Sequence, residues 1–331
     1  MCGEASLLDV APIFLQTLQK HKVSLPDNRT TDMARVHMLF PLSLDAMRIC
    51  KEMQGVYGHG CIPSFEDTIP SSSATVGPDG KANITHTLFM STNFIMIGFA
   101  KYGILLNLLT LGYDTLFMDN DQVIFKNPVP SLYTLYKADL YGAQDTCRRL
   151  DTHDGVLAYP DRVTINIGVL FARATGPVTR CFMNWAFTMQ DSAGTPVCWD
   201  QSKFHAAMTL CMKGLQYNHM SFGFLSSEAF TSLCAGVCGC DAAGLPRIVW
   251  RGGRGDKQYA DNCPPRVMKK WAAFHVACFA GHADGGKVRH MKRVMEQYEK
   301  HVGPIGGLPE DKQPMPWWTS DPWWKNFTHA S

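Results

Sequence analysis

Apolar residues along the chain recur at helical spacing in some stretches and at extended spacing in others. Leu8, Ile13, Leu15 and Leu18 line one face of a predicted helix over Leu7–His21. Arg35–Leu39 reads as a short strand, and Asp45–Gln54 as a helix begun by Ser43 or Asp45, both residue types that cap helix starts. Gly58–Lys81, rich in Gly, Pro and Ser, reads as a surface loop. A long apolar helix is expected over Leu88–Leu111, ending near Gly112. Tyr113–Met118 and Gln122–Phe125 read as strands, the second stopped by Asn127-Pro128. Further strands are expected at Asp139–Ala143, Thr164–Ala172 and Arg247–Trp250, and helices at Pro177–Met189, Gln201–Met212 and Gly286–His301. This alternation argues for an α/β fold, with a mainly parallel sheet covered by helices on both faces. No repeat or internal boundary interrupts it. We expect one domain over 1–302, with a Pro- and Trp-rich extension, holding Trp317, Trp318, Trp323 and Trp324, over 303–331.

Composition narrows the classes of function. The chain has 331 residues, 46% hydrophobic and 18% charged, with a net charge of +2. Such a chain can bury a core and lacks the basic field that nucleic acid requires. Leu88–Leu111 has the length of a membrane span, but Asn93, Lys101 and Asn107 interrupt it and favour a buried amphipathic helix. Glu4 and Asp9 break any apolar run after Met1, so no signal peptide is read there. Twelve cysteines are many for a reducing compartment. Four of them, Cys234, Cys238, Cys240 and Cys263, are read as disulfide-forming in preference to a zinc knot, whose usual spacings they do not match. Asn28-Arg29-Thr30, Asn83-Ile84-Thr85 and Asn326-Phe327-Thr328 carry the acceptor pattern for N-glycosylation. Cysteines and acceptors together point to a secretory lumen, with any membrane anchor outside this chain.

The candidate chemistry lies at Gly112-Tyr113-Asp114-Thr115-Leu116-Phe117-Met118-Asp119-Asn120-Asp121. An apolar strand ends there in two carboxylates one residue apart. Ligands of open α/β sheets bind beyond the carboxyl ends of the strands. Paired carboxylates suit a divalent cation that prefers hard oxygen ligands, with diphosphate oxygens completing its shell. The alternative is that the two aspartates simply open a solvated turn, since Asp-x-Asp alone is common.

The longer segment from Lys101 through Asp119-Asn120-Asp121 to Asn127-Pro128 resembles the core of the nucleotide-diphospho-sugar transferases. More narrowly, it is similar to a plant and algal branch that includes arabinosyl- and xylosyltransferases. Thr164-Ile165-Asn166-Ile167-Gly168-Val169-Leu170-Phe171, Trp199-Asp200-Gln201 and His275…Gly281…Lys287 match in order, so the resemblance covers roughly residues 35–300. It implies a GT-A fold, a single Rossmann-like nucleotide-sugar domain with a mixed sheet. It also implies a metal, Mn²⁺ or Mg²⁺, held by Asp119, Asp121 and His275. Donor contacts would come from Lys101, Asp119, Asn120, Asp121, Gly168, Gly281 and Lys287, and Asn166, Asp200 and Gln201 would face the transferred sugar. Asp145 is a further candidate for contact with donor or acceptor. The implied reaction moves a sugar from a nucleotide-diphosphate donor, by preference a UDP-sugar, to a glycan or glycoprotein, with retention. The implied setting is the Golgi or another secretory lumen, as the catalytic part of a type II membrane protein.

Two features depart from the resemblance. The first strand, which usually cradles the base and ribose, would have to precede Leu7, where six residues stand. Ala277 stands two places after His275, where an asparagine is usual. An inactive sugar-binding protein is therefore one alternative. A haloacid-dehalogenase-type phosphotransferase is another, though its nucleophilic Asp-x-Asp lies near the chain start and is followed by a smaller residue than Gln122-Val123.

Overall fold

Ile165–Ala172 is the longest of the described strands and is buried along its whole length, as its apolar sequence, interrupted only by Asn166 and Gly168, requires of a strand covered on both faces. It lies antiparallel between Leu140–Gln144 and Thr115–Met118, and Phe222–Phe224 adds to Leu140–Gln144 in parallel. Three of the four strands therefore run the same way, but the reversed strand lies inside the sheet, so it is mixed, with two of its three pairings antiparallel where mainly parallel pairing was expected. A second sheet joins Phe230–Ser232, Ala273–His275 and Gln122–Ile124. The computed structural model describes residues 4–25, 29–64, 74–76, 82–84, 92–145, 155, 165–191, 200–212, 220–232, 263–277 and 286–307. Arg247–Trp250, Gly281, Cys234, Cys238 and Cys240 lie outside these.

Helices cover both faces. Thr92–Thr110, Gly176–Asp191 and Asp200–Met212 pack around Trp185, Phe182, Phe204 and Phe222 on one side. Ala11–Gln19, Leu44–Tyr57 and Gly286–His301 pack around Phe14, Phe125, Trp271 and Tyr298 on the other. Ile165 and Ile167 face the first side, but Val169 and Phe171 face the second. Strand side chains alternate with period two, so these odd-numbered positions should share a face. The register to Leu140–Gln144 slips between Asn166 and Leu170, and this bulge reverses the faces around Gly168.

Several elements differ from expectation. The helix read over Leu7–His21 divides into Glu4–Asp9 and Ala11–Gln19, with Pro12 in the first turn of the second, where its missing N–H costs least. Arg35–Leu39 is a 3₁₀ turn, Met33–Val36, followed by the two-residue strand Met38–Leu39. Within the stretch read as loop, Gly60–Cys61 pairs with Met38–Leu39, and Ala74–Val76 pairs with Ala82–Ile84. Short pairings of this kind carry too few residues to leave a periodic signature. Ser43 caps Leu44–Tyr57 by accepting from Ala46 N at 3.0 Å, as its residue type suggested. Among the described residues no helix is long and apolar enough to cross a membrane.

Two disulfides, neither identified by spacing, clamp this frame. Cys50–Cys61 ties Leu44–Tyr57 to Gly60–Cys61, and Cys181–Cys211 staples Gly176–Asp191 to Asp200–Met212. Cys263 is also disulfide-bonded, to a partner outside the described residues. His59 Nε2 lies 3.5 Å from Cys50 Sγ and 3.6 Å from Cys61 Sγ, a grouping that would suit a soft metal only if both sulfurs were thiolates. Closing loops of 11 and 30 residues should stabilise the fold by about 3 kcal/mol each on the chain-entropy account. Non-reducing peptide mass spectrometry should recover Cys50 linked to Cys61 and Cys181 linked to Cys211, and reduction should lower the melting temperature. Free thiols at these four positions in secreted protein would refute the pairing.

Candidate active site

The two carboxylates flank a short link between the two sheets. Asp119 follows Thr115–Met118, and Asp121 precedes Gln122–Ile124. Ala273–His275 runs antiparallel to Gln122–Ile124 in a register that sets His275 opposite Gln122. His275 Nε2 thereby comes to 3.0 Å from Asp121 Oδ1 and 3.8 Å from Asp119 Oδ2. Val276 N donates to Asp121 O at 3.0 Å and locks that register. The far edge of Gln122–Ile124 is satisfied by side chains: Ile124 N donates to Thr17 Oγ1, and Ile124 O meets His21 Nε2 at 3.0 Å. A buried strand edge without such partners would leave polar groups unpaired.

Gly168 makes the approach of these groups possible. Its carbonyl accepts from Asp119 N at 2.8 Å and from Gln122 Nε2 at 2.7 Å. A Cβ at this position would overlap His275 Cε1 and lie 2.7 Å from Asp119 Oδ2 and 2.8 Å from Asn166 Oδ1. Any side chain here would fill the space between the three groups. Gly98 serves the same end on helix Thr92–Thr110, where a Cβ would lie 2.9 Å from Asp200 Cβ. Sequence reasoning missed Gly98, because a glycine inside an apolar helix carries no signal of what packs against it.

Two lysines enter from opposite sides. Lys101, buried on Thr92–Thr110, places Nζ 3.6 Å from Asp119 Oδ1, 3.3 Å from Asp200 Oδ2 and 4.8 Å above the Phe117 ring. Burial pulls its pKa down, but Asp119 and Asp200 outweigh burial and hold it above the usual lysine value. Lys287, in the first turn of Gly286–His301, contacts Asp121 Oδ2 at 2.5 Å. Burial opposes its charge as well, and Asp121 again prevails and raises it. For Asp121, burial favours the neutral acid, yet Lys287 and His275 overcome this and keep it ionised far below the usual carboxylate range. Burial disfavours the His275 cation, and Asp121 with Asp119 reverses that, raising its pKa above 6.5.

Asp200 opens helix Asp200–Met212. Its Oδ1 accepts from Gln201 N at 2.8 Å and its carbonyl from Trp185 Nε1 at 3.2 Å, so the packed Trp185 fixes the helix start. The helix-start role and the contact with Lys101 coexist. Asn166 sits one turn of the pleat from Gly168, with Oδ1 accepting from Gly168 N at 2.8 Å. Asn120 is buried between the two aspartates. The structure thus gathers Lys101, Asp119, Asn120, Asp121, Asn166, Gly168, Asp200, Gln201, His275 and Lys287, while Gly281 lies outside the described residues. Asp121 is buried, and not at an exposed sheet edge as the strand-end position suggested; Asp119 remains about one-third exposed. A cavity of about 200 Å³ under Leu116 and Met118, lined by His37, Tyr133 and Phe171, contains none of these groups.

The nucleotide-diphospho-sugar transferase family profile matches residues 72–244, more than half of the chain. The protein belongs to this family. The matched span includes both aspartates, Asn166, Gly168, Asp200 and Gln201, and stops short of His275 and Lys287. No curated protein and no solved structure was found to match the chain significantly. Family members transfer sugars from nucleotide-diphosphate donors. The ligand atoms of Asp119, Asp121 and His275 lie within 4.8 Å of one another. Two carboxylate oxygens and an imidazole suit a hard or borderline divalent cation.

If Asp119, Asp121 and His275 hold a divalent cation, Gly168→Ala should weaken its binding by about 10–100-fold, the scale for disturbed metal shells; isothermal calorimetry with Mn²⁺ would show it, and undiminished binding would disprove the cradle. The metal-free protein should also lose stability as pH rises above about 6.5, because the folded state holds the His275 proton more tightly than the unfolded state does. Stability from ionised Asp121 runs the other way, being lost only as pH falls below the usual carboxylate range. A divalent cation bound at this cluster would compete with the His275 proton, so any rise in melting temperature on adding Mn²⁺ should grow over the same interval. His275→Ala should abolish both trends in thermal scans.

Proposed function

We propose that this protein is a metal-dependent glycosyltransferase, moving a hexosyl or pentosyl group from a UDP-sugar to a glycan or glycoprotein with retention at the anomeric carbon. The observation that carries this reading is the convergence of Asp119, Asp121 and His275 on one point, backed by Lys287 and Lys101. In this reading Asp119, Asp121 and His275 hold Mn²⁺ or Mg²⁺. The bound cation would neutralise charge on the donor diphosphate.

The chain's own cations do related work. Lys287, paired with Asp121, stands ready to turn to the diphosphate once a divalent cation shares that carboxylate. Lys101, buried beside Asp119 and Asp200, is a fixed cation in a setting where charges act more strongly than in water. Asn120, Gly168 and Gly281 complete the donor contacts, and Asn166, Asp200 and Gln201 face the sugar. Gln201 is too weak a nucleophile for a stable covalent intermediate, and Asp200 is engaged by Lys101 and the helix start. Front-face transfer follows: the acceptor oxygen bonds to the anomeric carbon, the bond to the diphosphate breaks on the same side, and the acceptor proton passes to the diphosphate. The disulfides favour a secretory lumen such as the Golgi, with residues 1–302 as a single catalytic domain. The ordered segments around Asn166, Asp200 and His275 favour the arabinosyl- and xylosyltransferase branch.

A panel of UDP- and GDP-sugars with Mn²⁺, followed by thermal shift and by donor hydrolysis, should reveal one preferred donor. Asp119→Asn should lower hydrolysis of that donor by about 100–1000-fold with little change in melting temperature, since Asp119 is partly exposed. Asp121→Asn should also cost about 3 kcal/mol or more in stability, because it strips buried His275 and partly buried Lys287 of their counter-charge. Full turnover by Asp119→Asn would move the site elsewhere. Proton NMR of product made from an α-linked donor should show an α linkage, and a β linkage would mean inversion.

A further inference from the structure

Asp145 follows strand Leu140–Gln144 and is joined to two amides from distant parts of the chain. Asn166 Nδ2 donates to its Oδ1 at 2.7 Å, and Gln201 Nε2 donates to its Oδ2 at 3.1 Å. These bonds complete a closed ring around the site. Asp119 meets Lys101, Lys101 meets Asp200, and Asp200 accepts from Gln201 N. Gln201 and Asn166 meet at Asp145, Asn166 accepts from Gly168 N, and Gly168 O accepts from Asp119 N. Among these links Asp145 is one of two places where strand-borne groups are tied to helix-borne ones, the other being Asp119 with Lys101.

We infer that Asp145 is a positioning residue whose carboxylate fixes which way the amides of Asn166 and Gln201 face. An ionised carboxylate only accepts, so both amides must turn their N–H₂ groups toward it. A planar amide that points nitrogen one way points its oxygen the other. Asn166 shows the result, with Oδ1 turned to Gly168 N; for Gln201 it turns Oε1 away from Asp145, free of the choice that an unanchored amide would have between its two faces. No neutral side chain can impose this on two amides at once. Asparagine at 145 would present its own N–H₂ to one of them and force that amide to flip. The assignment rests on the proposal above that Asn166 and Gln201 face the transferred sugar, where Gln201 Oε1 would steady positive charge at the reacting carbon. Acting through Gln201, Asp145 governs turnover and not donor binding.

The first test needs no substrate. In the wild-type protein the side-chain N–H₂ signals of Asn166 and Gln201, identified by their loss in Asn166→Ala and Gln201→Ala, should exchange with solvent about tenfold or more slowly than free amides. Both should shift in Asp145→Asn. Free-amide exchange in the wild type, or unmoved signals in a folded Asp145→Asn, would overturn the assignment. The second test uses the UDP-sugar that the wild type hydrolyses fastest with Mn²⁺. Asp145→Asn should lower kcat about 10–100-fold with KM changed by less than about threefold, and Asp145→Asn/Gln201→Ala should be no more than about threefold slower than Gln201→Ala alone. Multiplicative losses, or loss of the acidic limb of the pH–rate profile, would make Asp145 an independent acid–base group instead. If the wild type hydrolyses no nucleotide sugar, the transferase reading fails, and the exchange measurement still decides the role of Asp145.

Discussion

The carboxylate of Asp121 is buried and shared between His275 and Lys287, and the rest of the site is arranged around keeping it so. A lone carboxylate so placed would take up a proton, because desolvation disfavours its charge. Two cationic partners reverse that. They come from the strand Ala273–His275 and the helix Gly286–His301, so one charge ties together three segments of the chain. The aromatic stack of Phe125, Trp271 and Tyr298 holds that helix against the second sheet and fixes where Lys287 begins.

The other half of the site answers to packing on the opposite face. Trp185 anchors the start of Asp200–Met212, and the Cys181–Cys211 disulfide binds that helix to its neighbour. Gly98 lets helix Thr92–Thr110 approach closely enough for Lys101 to bridge Asp119 and Asp200. The bulge around Gly168 joins the two halves. It reverses the faces of the central strand and directs Asn166 and the Gly168 backbone at the carboxylates. A regular strand would send every second side chain to a fixed face and could not do both.

This arrangement suits chemistry in which a doubly charged leaving group departs. Lys101 and Lys287 already face the carboxylates, so in the proposed reaction a metal and a diphosphate would enter by exchanging partners with charges already present. Partner exchange costs less than bringing an unpaired charge into a desolvated site.

Much of the fold and part of the site were legible in the sequence. The apolar runs Thr115–Met118 and Ile165–Ala172 and the helices Gly176–Asp191, Asp200–Met212 and Gly286–His301 follow from periodicity, because each buries a face set by its own local spacing. Asp119 and Asp121 stood out because their pairing is local as well. The short strands Met38–Leu39 and Gly60–Cys61 did not, since two residues carry no period. Nor did the pairing of Cys50 with Cys61 or of Cys181 with Cys211, which depends on where helices pack. The meeting of His275 with Asp121 across 154 residues was implied by the resemblance and by no local pattern, while the burial of Asp121, the bridge of Asp145 between Asn166 and Gln201, and the need for Gly98 and Gly168 were decided by tertiary structure alone. Each is a contact between segments whose local sequence is satisfied without it, and only strand register and helix packing bring such segments within reach.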